Sequence, residues 1–585
     1  MKLLKYVSLS IFIVSFLSTC QSSNKSKTTI GYITISDQLS VEDSAVVDWL
    51  SGHKLFNVKV INISREPEKL KDVDAAWVHI PDESMYNEWS THLPGVTELK
   101  KYYENGGKLF LSNFAALLPS ALGIEPQKPK LRTLHIKDNG LFDERGLQSF
   151  RGHPVFNDLF GGGFIWDSYE NQELPIIGYF DDDFPQSGKV VATGKSFVTV
   201  NENHRLMVEY QEGQGKILSV GAFIYFSKDN RLKLHLEKFI ENSLLYLIGE
   251  NVEEPITYWQ KYDNKPGEFN ISTKSLKKSS ERLLKNLPET ELVFKNDNPR
   301  NNFFDLAGRR ALVMGKENGG IDELWVHPFR VLRDFQTGII VRNKVVWLNN
   351  LPVEVEIQPE SLIRIYQTEY GKLKEIIYPS LSRAGAIVHY EANTSDPIKL
   401  MIKFRSELRW MWPYAENALG DLCYGYDEGL NALHVKDASG DFYCIIGADL
   451  EPNQHISGQY GDITWKSNKF TKTQTDLNQV YHACLYELNS ENDYVLNIAI
   501  VGTNEGKGSA LNDHRYLLSH PKQVYSTLTK HYQNLLDTKL TIESPDEEFN
   551  KLWKWALVGT DRFFVKTPSL GTALVAGFST TERGW

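Results

Sequence analysis

Near residue 300 the texture of the chain changes, and that change constrains the fold more than any other feature. Before it, short apolar runs take turns with stretches of helical periodicity. Strands are expected at 30–35, 57–61, 75–80, 108–111, 190–192 and 216–220, and helices at 43–52, 98–105, 115–122 and 231–248. Strands alternating with helices call for a doubly wound, mostly parallel α/β sheet over 29–250. A polar connector follows at 251–300, with a short helix expected at 274–284. From Asn302 the runs are strand-like throughout: 311–314, 338–341, 345–348, 353–357, 362–368, 373–378, 386–391, 398–404, 432–436, 442–449 and 494–501 recur at the spacing of a β-sandwich, placed at 301–540. Val353, Val355 and Ile357 alternate as in a half-buried strand. A chain of 585 residues divided this way is multidomain.

The N-terminus reads as an address. Lys2 and Lys5 precede an apolar stretch from Tyr6 to Phe16, and Leu17-Ser18-Thr19-Cys20 closes it. The segment is too short to span a bilayer and has signal-peptide flanks. It resembles the signal of bacterial lipoproteins, which implies lipid attachment at Cys20 and a place in the cell envelope, on the outer membrane or facing the periplasm. Residues 1–28 are then signal and tether; a plain secretory signal is the other reading. Net charge is −10, spread without long runs, which argues against nucleic acid as a partner and leaves membrane contact to the lipid anchor. Cys423, Cys444 and Cys484 are odd in number and lack metal-ligand spacing. A Cys423–Cys444 or Cys444–Cys484 bridge stands beside three buried thiols as the alternatives. With no P-loop and no HExxH, no cofactor or metal is expected; no EF-hand loop is present, and calcium stays open as the alternative.

Tyr103-Glu-Asn-Gly-Gly107-Lys-Leu-Phe-Leu-Ser112-Asn113, with Gly213-Gln-Gly215-Lys-Ile-Leu-Ser-Val-Gly221 before a long helix, resembles the glutamine-amidotransferase-like, flavodoxin-type fold. Active members carry a cysteine on the strand-to-helix elbow. Here the elbow is Ser112-Asn113 and the region has no cysteine. Ser112 would need a base from among His79, His153 and His204; capping the next helix accounts for it without chemistry. A binding or scaffolding role is expected for this domain.

Two constellations in the sandwich are candidates for function. One is Asp322-Glu323-Leu-Trp325-Val-His327-Pro328 beside a Gly-rich turn. Adjacent carboxylates on an extended segment face opposite ways, so they cannot flank one glycosidic bond. Either this is a hairpin with charged edges, or Trp325 and His327 project to line a pocket. The other is Arg405-Ser-Glu-Leu-Arg409-Trp410-Met-Trp412-Pro-Tyr414. Trp410, Trp412 and Tyr414 share one strand face, suited to stacking on sugar rings with Arg405 and Arg409 as donors, and equally to core packing.

After Ser544-Pro545 an acidic first turn and apolar Phe549, Leu552, Trp553, Ala556 and Leu557 announce a helix, with Ser544 as the expected N-cap. A Gly-punctuated loop follows, ending Arg583-Gly584-Trp585. This pattern resembles the opening of the helical toroid of amylo-α-1,6-glucosidase (glycogen-debranching-like) glycoside hydrolases, which a β-sandwich precedes. The resemblance implies that 541–585 begin an (α/α) six-hairpin toroid of which one helix and a loop are here. It also implies hydrolysis of α-glucosidic bonds by inversion, an oligosaccharide or polysaccharide partner, an α-glucan foremost, and catalytic carboxylates past Trp585. Candidate glycan contacts are Trp325, His327, Arg409, Trp410, Trp412, Tyr414, Arg583 and Trp585. The alternative is a non-enzymatic glycan-binding lipoprotein of an uptake system.

Overall fold

The computed structural model describes residues 27–575 apart from 139, 160–161, 251, 253–255, 262–263, 268, 270–281, 410, 412–418 and 569–570. Cys20, Trp410, Trp412, Tyr414, Arg583 and Trp585, and most of the helix expected at 274–284, lie outside the described residues. The chain forms two compact units, one of residues 1–195 and 203–258, the other of 196–202 and 259–585. Both are sheet-rich.

In the first unit five strands run parallel in the order Phe56–Asn62, Thr28–Thr34, Ala75–Ile80, Lys108–Asn113, Gly215–Val220. Alternate side chains go to opposite faces, as the pleat requires. Ala75, Trp77 and Phe110 join one core with Val46 and Leu50 of helix Val41–Gly52 and Phe239 of helix Lys233–Leu247. Ala76, Val78, Leu109 and Leu111 join another with Leu99 of helix Leu93–Glu104. Burial on both faces explains why these strands read as continuous apolar runs. The sheet then turns antiparallel where Val200–Glu212 pairs Gly215–Val220, and continues through Lys189–Lys195, Gly146–Ser149 and Gly162–Phe164. This half was not foreseen beyond its 190–192 strand: the Gly-rich 162–164 strand and the mostly exposed Lys130–Ile136 strand carry no alternation to read.

In the second unit a ten-stranded and an eight-stranded sheet share one core. Leu362, Tyr366, Ile377 and Val388 face it from the first, and Val313, Leu324, Phe335 and Ile402 from the second. The outer face of the ten-stranded sheet is covered by two helices absent from the sequence reading, Gly506–Ser519 and Pro521–Thr538. Their Leu517, Leu518, Val524 and Tyr525 pack on Ile376, Tyr378, Ile387 and Val501. Cys423, Cys444 and Cys484 are free thiols, and burial raises Cys444 and Cys484 to about 12.

The last helix, Glu547–Arg562, is capped by Asp546, not Ser544. The Asp546 carboxylate accepts the amide protons of Glu548 and Phe549, while Ser544 instead exchanges backbone bonds with the Asn550 side chain. A carboxylate aimed at free amides also meets the positive end of the helix dipole, which a serine cannot match.

Candidate functional site

Two places gather polar chemistry, one in each unit. At the elbow of the first, the strand Lys108–Asn113 ends on Ser112-Asn113, and Asn113 takes φ 56°, ψ −123°. Ser112 does not cap the next turn. Its Oγ accepts the Trp77 indole proton at 2.8 Å and lies 2.7 Å from His79 Nδ1. His79 Nε2 is 3.4 Å from Glu42 Oε1. Burial alone would raise Glu42, but bonds from His79, Ser227 and the Phe226 amide outweigh it and bring the carboxyl to about 2. Of the three histidines considered as partners, His79 is the one that meets Ser112. Ser112 and His79 are 0% and 2% exposed, so no substrate reaches the hydroxyl. The strained position itself belongs to Asn113, whose amide is spent on both backbone groups of Ile224. A serine, a histidine and a carboxylate therefore stand in line here as a polar tie joining two adjacent strands to the helix Val41–Gly52, and Glu42 is the member sequence reasoning missed.

The second place is one end of the sandwich. Strand Gly319–Val326 turns through His327-Pro328 into Phe329–Val341. Alongside, the Met411 amide donates to the Pro328 carbonyl at 2.9 Å and the Arg330 amide to the Arg409 carbonyl at 2.8 Å. The two constellations that the sequence keeps 80 residues apart are thus neighbours.

Trp325 is wholly buried, with Ala307, Leu312, Met314 and Met411 around it and its indole donating to Glu323 at 2.9 Å. It is core, and its ring faces are not available to a sugar. Asp322 is half-buried beside Lys316 while Glu323 turns inward, the opposed pair that strand geometry demands. Arg330 donates to Glu323 at 2.6 Å and also bonds Glu407, so both inward acids share one guanidinium. Arg409 is buried, and Arg405 bonds Asp334 at 2.6 Å and Gln479.

His327 is half-buried, its Nδ1 2.9 Å from the Thr567 hydroxyl. Burial, and then the Arg310 charge, lower its pKa, so it is a neutral imidazole near pH 7. Thr567 is brought there by a clamp. Arg309 donates to Asp561 at 2.8 Å, His531 meets the other oxygen of that carboxylate at 2.7 Å, and the Lys566 amide bonds the Arg309 carbonyl. Arg562 adds bonds to Asp305. Burial would raise Asp561, but His531 and Arg309 hold it below its ordinary value.

No family model matches the sequence, and no curated protein does. Among solved structures the chain is similar to a bacterial glucoamylase complexed with acarbose (11% identity over 46% of this chain and 44% of that one, TM-score 0.32). It is similar also to a family GH92 inverting mannosidase of Bacteroides thetaiotaomicron (9% identity, 47% and 37%, TM-score 0.30). A third is PurLQS of Thermotoga maritima (15% identity, 38% and 99%, TM-score 0.26). The chain spans less than half the length of the first two. At these scores none of the likenesses carries an argument about this protein.

Proposed function

We propose that this chain is a glycan-handling protein of the bacterial cell envelope, its sandwich presenting a helical glycoside-hydrolase domain that acts on α-glucosidic bonds. The supporting observation is the seating of Lys566 and Thr567. These residues head the Gly-rich run that resembles the debranching glycosidases, and they bond Arg309 and His327 at one end of the sandwich. By that resemblance Arg583 and Trp585 lead on toward the sugar. Arg409, where the aromatic run of Trp410, Trp412 and Tyr414 begins, lies at the same end. A neutral His327 offers a sugar hydroxyl a donor or an acceptor without a charge to desolvate. Inverting hydrolysis needs two carboxylates flanking the bond. Glu323, Glu407 and Asp561 are each held by an arginine, so none of the three is free for either role.

That engagement also favours the second reading, glycan binding without cleavage, because the acids described at this end are already paired with arginines. Titration of the full chain with maltooligosaccharides tests both, with released glucose separating enzyme from binder. His327→Ala should weaken binding about tenfold, near 1.4 kcal/mol. Unchanged affinity in that variant, or no α-glucan bound at all, sinks the reading. For the envelope address, Cys20→Ala should release the protein from the membrane fraction or leave its signal uncleaved; retention indifferent to the change removes the lipid anchor.

A further inference from the structure

A polar groove of about 140 Å³ lies at the other end of the Gly319–Val326 strand from His327. Seven steps of about 3.3 Å along its eight residues put the two roughly 23 Å apart. Its walls carry Trp347, Asn318, Asn349, Gln336, Asp322 and Asp334.

The backbone around it is shaped at some cost. Gly319 and Gly320 have φ of 155° and 77°, and a Cβ on Gly319 would stand 2.9 Å from that of Asn349. Only glycine lets the turn at Leu348–Asn350 come this close. Asp334, not a glycine, holds φ 54°, where strand Phe329–Val341 shifts register against Ile398–Ser406 between Arg333 and Gln336. Bulges and positive-φ residues of this kind gather at ligand sites. Gly338 faces Trp347 across the Phe329–Val341 and Lys344–Trp347 pair, and the Lys403 ammonium lies 5.1 Å from the Trp347 ring centre.

The charges cancel locally. Asp334 accepts from Arg405 at 2.6 Å, and Asp322 lies 3.7 Å from Lys316. A cation would meet two carboxylates already matched by bases, and an anion would meet the carboxylates themselves. What remains is four carboxamides, which both donate and accept, around a half-buried indole; two of them, Asn301 and Asn318, bond each other. That combination suits a ligand with many hydroxyls and an apolar ring face.

We propose that this groove is a second binding subsite, for one pyranose unit of a neutral glycan, separate from the His327 end. It shares its ligand class with the proposed function and none of its residues. The test is titration of the full chain with maltoheptaose, alone and after calcium chloride. Two classes of site are expected. Trp347→Ala, and independently Gln336→Ala on the exposed rim, should remove or weaken one class about tenfold while leaving the class that His327→Ala weakens. Unchanged melting of the Gln336→Ala protein keeps that result separate from misfolding.

A single class indifferent to both groove variants overturns the subsite and leaves the His327 reading standing. A single class lost in the groove variants and indifferent to His327→Ala does the reverse. Absence of binding overturns both. Calcium that binds alone and is lost in Asp322→Asn shows a cation site instead, and likewise overturns the subsite.

Discussion

The elbow of the first unit and the His327 end of the second are built from the same kinds of group and differ in access. Each sets a histidine against a hydroxyl, Ser112 with His79 and Thr567 with His327, and each keeps carboxylates close by. At the elbow every member is sealed, and the chain of contacts ties strands together. At the sandwich end His327 stays half-buried, next to a segment that the clamp carries in. Access, rather than the residue types, separates the sealed tie from the proposed site. In a dry interior an unpaired polar group is costly, so buried constellations are selected to satisfy themselves.

The comparison can be pressed hardest with acid. In the second unit burial first, then neighbouring positive charge, lowers His482 and His434 to about 3 and His514 to about 4. In the first unit burial lowers His153 to about 3. Each is neutral when folded but protonates near 6.5 once unfolded, so the unfolded state binds more protons below that pH. Stability is therefore lost as pH falls from about 6.5 toward the folded values, by about 2 kcal/mol per histidine at pH 5. Hydrogen exchange across a pH series should show strands 432–448 and 480–503 weakening more than strands 75–113. Equal loss in both would break the contrast.

Ser112→Ala comes next in size. It leaves a buried indole proton and a buried imidazole without their partner, at about 1–3 kcal/mol. The first unit's melting should fall while the second's holds, and glycan binding should not change. A loss of turnover with melting intact would show a nucleophile after all.

Asp561→Asn should have the smallest effect, about 1 kcal/mol, because Arg309 is partly exposed and solvent screens the pair. It sharpens the picture of the last helix. Phe549 and Leu552 are 46% and 61% exposed at its start, whereas Val558 is buried and Asp561 and Arg562 are clamped at its end. Exchange should be fast over 547–553 and slow over 558–562, and the variant should speed only the latter. Uniform protection along the helix would mean that the clamp is not what holds it.

Much of the fold was legible. The runs at 75–80, 353–357 and 362–368 match the observed strands to the residue, because burial on one or both faces stamps itself on composition. The helix Pro521–Thr538 also left a readable stripe, Val524, Tyr525, Leu528, Tyr532 and Leu535, which the run of strands around it hid. The strand Gly319–Val326 was not legible. It opens on two glycines and carries Asp322 and Glu323, and the inward acid makes sense only with Arg330 opposite it.

For the candidate sites the division is similar. That Asp322 and Glu323 face apart and that the elbow lacks a cysteine follow from residue order, since neighbours along a chain obey local geometry. That Trp325 is core, that His79 rather than His153 or His204 meets Ser112, that Arg409 lies beside Arg330 and that Asp561 finds Arg309 were decided by the tertiary structure. Each of those contacts joins residues tens to hundreds of positions apart or depends on what surrounds a side chain, and no local pattern encodes either.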